Sequence, residues 1–200
     1  MVRKQRIGLE SSATRTLLLD AAEAMMREEG YAAVTSRRLG ARAGVRPQLV
    51  HYYFPSMDEL FVTLYRRRAE NVLRFSEEIL RSDEPLQVLW AQSSDATDVA
   101  LSLEFMALGN HRKLVRAETA KHGEALRRMQ LEAVERYFAQ RGIAPQIQPG
   151  ALMLILASTG FLMMLEADAG MSVGHAEAEA FILATIQSLE STGNLPPAAG

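Results

Sequence analysis

The chain has 200 residues, enough for one or two domains with a real core, and 48% hydrophobic with 23% charged residues is ordinary globular composition. It has no cysteine, which rules out disulfides and thiolate chemistry, and its net charge of −2 excludes a uniformly basic protein. The charge is unevenly spread: residues 1–70 hold twelve Lys+Arg against eight Asp+Glu, and residues 71–200 hold ten against sixteen. A basic head on an acidic body suits a protein that meets phosphate at one end.

In chain order, the polar and basic start (VRKQR) has no apolar segment of a signal peptide behind it, so a cytoplasmic protein is expected. Residues 1–10 are read as a basic arm. The first helix is placed at about Ser12 to Glu29, with Leu18, Ala21, Ala22, Met25 and Met26 on one face and Gly30 at its C-terminal cap. Thr35 is a suitable N-cap for a second helix, about Ser36 to Ala43. Gly44 supplies a tight turn and Val45 an apolar pin. Pro47 starts a third helix that ends near Phe54-Pro55. Ser56 and Glu59 form a capping box for a long fourth helix, about Met57 to Arg81, whose Arg66-Arg67-Arg68 run is read as solvated or facing the head.

Asp83-Glu84-Pro85 breaks the chain. Helices follow at about Leu86 to Gln92, Thr97 to Leu108 and Arg112 to Gln140, with Gly109-Asn110 as punctuation between the last two. Two final helices are placed at about Gly150 to Ala167 and His175 to Leu189. Residues 191–200 (STGNLPPAAG) read as a disordered tail. No strand-like alternation and no repeat is found. The expected class is all-α: a helix-turn-helix head over residues 1–55 and a separate helical body over 56–190.

Two short helices around a glycine turn make a helix-turn-helix unit. The third helix would enter the major groove, with Leu49 or Val50 toward the core. That leaves Arg46, Pro47, Gln48, His51 and Tyr52 for the groove. Gln48 has the amide that pairs with adenine, and Arg46 suits guanine or phosphate. Thr35, Arg37 and Tyr53 are placed for phosphates, as are Arg3, Lys4 and Arg6 of the arm. Phe54 is read as core; Arg38 and Arg42 as solvated charges.

The frame Gly30-Tyr31, Thr35, Leu39, Ala43-Gly44-Val45, Tyr53-Phe54, Ser56 and Glu59-Leu60 resembles the TetR family of bacterial regulators. The resemblance covers about a quarter of the chain. It implies a homodimer whose first three helices bind double-stranded DNA, whose body holds a small-molecule effector, and whose last two helices pair with the partner chain. Three positions depart from the family's habit: Arg46 stands where Ser often caps the reading helix, His51 where Tyr is common, and Met57 where a phosphate-binding Lys is common.

In the body, Ala151 to Leu165 carries no charge over 15 residues. That run is short for a membrane span and bounded by polar residues, so it is read as interface and pocket wall rather than membrane. Leu152, Ile155, Thr159, Phe181, Ile182, Thr185, Ile186 and Leu189 are the expected dimer contacts. Trp90, Phe105, Met106, Met163 and Met164 are the expected pocket residues, a set suited to a mainly apolar effector. A metal site drawn from His111, Glu118 and His122 lacks a tight motif and is set aside. No cofactor is expected, and the absence of a phosphate loop or nucleophile motif argues against an enzyme. The expected function is a ligand-responsive regulator, a repressor released from a palindromic operator. The alternative is a helical protein-interaction module without specific DNA binding.

Overall fold

The computed structural model describes residues 2–79, 81–95 and 99–196, with side chains from residue 13 onward except at 75 and 77–79. Among the described residues every regular element is helical: α1 (Val2–Glu29), a 3-10 turn (Tyr31–Ala33), α2 (Ser36–Arg42), α3 (Pro47–Tyr53), α4 (Met57–Ile79), α5 (Pro85–Ser93), α6 (Val99–His111), α7 (Lys113–Gln140), α8 (Pro149–Asp168) and α9 (His175–Thr192). The all-α expectation holds. Three details differ. Residues 2–11 continue α1 rather than forming a separate arm. Gly109 and Asn110 lie inside α6, because two weak helix formers do not outweigh the packed face of Leu101, Phe105 and Leu108. And α9 runs into the expected tail to Thr192. Gly193 then accepts from Gln146 N–H at 2.8 Å, and Gln146 Oε1 accepts from Leu195 N–H at 2.8 Å. Residues 197–200 lie outside the described residues.

The chain divides into two compact units. The first comprises residues 1–70 and 100–121, so its packing extends past residue 55 and takes in most of α6 and the start of α7. Its core joins Leu18, Ala22, Met25 and Met26 of α1 to Leu39, Val50 and Phe54, to Leu60, Phe61 and Leu64 of α4, and to Leu101, Phe105 and Leu108 of α6. The Arg66–Arg68 run is engaged within this unit. Arg66 holds Glu118 through two bonds of 2.7 and 2.9 Å, Arg67 reaches Asp20 at 2.5 Å and Glu23 at 2.7 Å, and Arg68 donates to Ser102 at 2.7 Å. Burial pushes the Glu23 carboxyl up, but Arg27 and Arg67 more than offset this and hold it below the usual carboxylate range.

The second unit comprises residues 71–99 and 122–200. Its core gathers Leu86 and Trp90 of α5, Val134 and Phe138 of α7, Leu152 and Leu156 of α8, and Ile182, Ile186 and Leu189 of α9. Helix α5 has no local side-chain cap at Glu84. Glu190 of α9 supplies one instead, accepting from Leu86 N–H at 3.1 Å and from Gln87 Nε2 at 3.4 Å.

Candidate nucleic-acid interface

Helix α2 starts where Thr35 Oγ1 accepts from Arg38 N–H at 3.3 Å, which satisfies one of the donors a helix start leaves open. The turn after it needs Gly44, whose φ is +68°, a region that costs a side-chain-bearing residue energy. The turn closes as Val45 N–H donates to Gly40 O at 2.8 Å. A Cβ at Gly40 would stand 2.9 Å from Val45 O, 3.3 Å from Pro47 N and 3.4 Å from Pro47 Cα. The two helices therefore meet backbone to backbone, a fixed two-helix block.

Helix α3 follows with Arg46 at its N-cap, making no side-chain cap bond, and Pro47 in the first turn. Val50 is 1% exposed and Phe54 is buried beside it, so Val50 rather than Leu49 is the residue that seats α3 on the core. The positions three and four after Gln48 are His51 and Tyr52, so these three share one face. All three are exposed, as are Arg46 and Pro47. Tyr52 is 74% exposed and touches Tyr53 edge-on at 5.1 Å, while Tyr53 is half-buried against the core. A large ring left so open on a folded surface is the informative kind of exception.

The charges sort into used and available. Arg38 pairs with Glu29, and Arg42 pairs with Glu28 at 2.7 Å, so neither is a simple solvated charge. Arg37 and Arg46 are exposed and form no ion pair among the described residues. Arg15 of α1 is also exposed and lies over the Phe54 ring at 5.2 Å, beside the end of α3. Sequence reasoning missed Arg15, since nothing local ties an α1 residue to the far end of α3. Arg3, Lys4 and Arg6 lie in the first turns of α1, and their side chains are outside the described residues. Met57 is half-buried against the core. Ser56 Oγ accepts from Glu59 N–H at 3.1 Å, the serine half of the expected capping box.

The other expected sites are distributed differently from the sequence reading. Leu152, Ile182, Thr185, Ile186 and Leu189 are buried inside the second unit's own core and are not free to meet a partner. A helix that is apolar all round gives its inner and outer stripes the same periodicity. The large apolar residues exposed on α8 and α9 are Leu154, Ile155, Leu162, Phe181 and Leu183, so only Ile155 and Phe181 of the expected contacts are well exposed, with Thr159 half-buried. Of the expected pocket residues, Phe105 is a core residue of the first unit, edge-on to Tyr65 at 5.2 Å, and Met106 there is exposed. Trp90 and Met164 are buried in the second unit and Met163 packs against its core. An open groove of about 580 Å³ on the second unit is lined instead by Asp83, Gln87, Tyr137, Arg141, Gln187 and Glu190 among others. Burial pushes the Glu190 carboxyl up, and burial with the nearby Glu190 charge does the same to the Tyr137 hydroxyl. Arg141 covers the Tyr137 ring at 4.1 Å. As for the metal reading, Glu118 is taken by Arg66 and His111 stacks on Tyr31 at 6.2 Å.

A capped helix, a glycine turn locked by close backbone contact and a second helix with an open polar face define a helix-turn-helix protein. Residues 18–64 match the family described as bacterial regulatory proteins, tetR family. Over 61 residues the chain is 36% identical to the HTH-type transcriptional regulator BetI of Rhizobium meliloti (strain 1021), a match that spans 30% of each protein. Whole-chain likeness extends to solved structures. One is a Saccharomonospora viridis protein described as a transcriptional regulator, in complex with choline (TM-score 0.73, 15% identity, 93% of this chain and 100% of that one). Another is a transcriptional regulator from Rhodococcus sp. Rha1 (TM-score 0.71, 18% identity, 91% and 99%). A third is a TetR transcription regulator from Haloarcula marismortui ATCC 43049 (TM-score 0.64, 18% identity, 90% and 95%). At these identities the structures speak for the fold. The family likeness rests on the N-terminal segment: residues 18–64 are similar to the TetR family, and the chain matches less than a third of the curated relative's length.

Proposed function

We propose that this protein is a cytoplasmic, dimeric transcriptional regulator that reads DNA with α3 and answers to a small molecule held in its helical body. The observation that carries the reading is the open face of α3: Gln48, His51 and Tyr52 uncovered, with Arg37 and Arg46 in no ion pair among the described residues while Arg38 and Arg42 are engaged. In this reading Arg37, Thr35 and Tyr53 take phosphates, Arg3, Lys4 and Arg6 add phosphate or minor-groove contacts from the start of α1, and Gln48 with Arg46 reads base edges.

Dimerisation is supported by α8. It is 20 residues long and apolar enough, by length and composition, to cross a membrane, yet only 28% of its most apolar window is buried. An uncovered apolar stripe of that kind marks an interaction surface. We assign it to a second copy of the chain, with Leu154, Ile155 and Leu162 of α8 and Phe181 of α9 as the contacts, and not to a bilayer. Two-fold pairing would make the operator palindromic. The effector reading draws support from the choline bound to the S. viridis relative. Met153, Met164 and Trp90 in the body's core favour a mainly apolar one. We take repression relieved by the effector as the mode of action, with no catalytic step.

The test is selection of bound duplexes from a random-sequence pool, followed by footprinting of the winners. A palindromic footprint with two half-sites about one helical turn apart is expected. Recovery of no preferred sequence by an intact helical dimer would favour the alternative, a protein-interaction module.

A further inference from the structure

Helix α1 ends at Glu29, and Gly30 after it, with φ of 81° and ψ of 161°, turns the chain out of the helix. The next amide, Tyr31 N–H, finds no carbonyl within its own segment. It donates instead to Glu104 Oε2 at 2.6 Å, a residue 73 positions away on α6 within the same unit. The carboxylate is seated closely: a Cβ on residue 30 would lie 3.3 Å from Oε2 and 3.4 Å from Oε1. Two turns further along α6, His111 stacks on the Tyr31 ring, with ring planes 30° apart. Thus α6 grips Tyr31 at both backbone and ring, and between the grips Phe105 and Leu108 enter the head's core.

From Tyr31 the chain passes through one 3-10 turn directly into the capped start of α2, and α2 is locked to α3 backbone to backbone. Anchoring Tyr31 therefore anchors the whole two-helix block. We infer that Glu104 is a positioning residue for DNA reading: its carboxylate, by holding Tyr31 N–H, sets where α2 and the reading helix stand on α1. This rests on the proposed role of α3 in reading DNA. A hydrogen bond to a charged acceptor is worth more than a neutral one, and a side chain one methylene shorter cannot make it from the same backbone position.

The test compares full-length Glu104→Asp, Glu104→Gln and Glu104→Ala with the parent chain. Amide hydrogen exchange is read at residues 31–53, and affinity is measured for the duplex the parent selects and for its scrambled form. With Asp or Ala, exchange at Tyr31 should quicken about tenfold and selected-duplex affinity should fall about tenfold, while scrambled-duplex affinity stays within about twofold. Gln, which keeps the reach and an acceptor oxygen, should recover most of both. Unchanged exchange at Tyr31 in Glu104→Asp, or equal loss on both duplexes, overturns the inference. If the parent itself selects no sequence, the regulator reading fails separately. Exchange across α2 and α3 then decides: faster in Glu104→Asp supports the anchor, and unchanged refutes it.

Discussion

Replacing Gly40 with alanine should destabilise the protein, although helix propensity argues the reverse. Gly40 is an interior position of α2, where alanine is ordinarily favoured over glycine by about 1 kcal/mol. The added methyl, however, would stand 2.9 Å from Val45 O, with Pro47 N and Cα at 3.3 and 3.4 Å. These are backbone atoms, and Val45 is itself bonded to Gly40 O at 2.8 Å, so no side chain can swing aside. Overpacking of this kind costs about 1–3 kcal/mol. Because only backbone could give way, the cost lies in the upper half of that range, about 2–3 kcal/mol, and set against the propensity gain a net loss of about 1–2 kcal/mol follows. In a chain of this length that lowers the thermal midpoint by roughly 2–8 °C. Gly123→Ala is the control. Gly123 lies in α7 with nothing within 4 Å of its added Cβ, so the same substitution should stabilise, by up to about 1 kcal/mol. Circular dichroism melts of both variants give the signs. If Gly40→Ala melts at or above the parent's temperature, the backbone-to-backbone block of α2 and α3 is wrong.

Other perturbations separate the remaining claims. Gln48→Ala should cost about 1–3 kcal/mol on the selected duplex and little on random DNA, whereas Arg37→Ala should weaken both alike in a filter-binding or anisotropy titration. Phe181→Glu puts a charge on the exposed apolar face of α9 and should yield monomers by sedimentation, with helical content retained. Leu189→Ala, fully buried in the second unit's core, should instead cost about 2–5 kcal/mol of stability with association unchanged. Glu190 has a folded pKa raised above 4.5 by burial, with the Gln87 and Leu86 hydrogen bonds only partly opposing. Its folded form holds the proton more tightly, so its contribution to stability is present below the unfolded value and declines as pH rises through the raised folded value. Glu190→Gln keeps an acceptor for Leu86 N–H and should flatten that decline in urea midpoints taken across the acid-to-neutral range.

The sequence carried the head well because its signals are local. Thr35, Gly44 and Pro47 each fix one backbone feature within a residue or two of themselves, and the α2–turn–α3 boundaries follow to within a residue. The open face of α3 followed from setting Leu49 or Val50 toward the core, since one buried position on a short helix sets which side points out, and burial picks Val50 of the two. The body was less legible. Periodicity in Ala151 to Leu165 and in α9 marks apolar stripes but not whether a stripe faces the chain's own core, as Leu152, Ile186 and Leu189 do, or the outside, as Leu154 and Phe181 do. The Glu104–Tyr31 bond and the Glu190 cap on α5 join residues 73 and 104 positions apart. No local pattern announces such partners. The 3-10 turn at Tyr31–Ala33 went unseen for the same reason, being shaped by an acceptor on α6.

The central claim is that this chain reads DNA through α3, and the most direct test is the affinity of the full-length protein for its selected and scrambled duplexes across a salt series. Both affinities should fall linearly on logarithmic axes as salt displaces the phosphate contacts, and the selected duplex should stay about a thousandfold or more tighter near physiological salt. Affinities that ignore salt, or that do not differ between the two duplexes, would contradict the account.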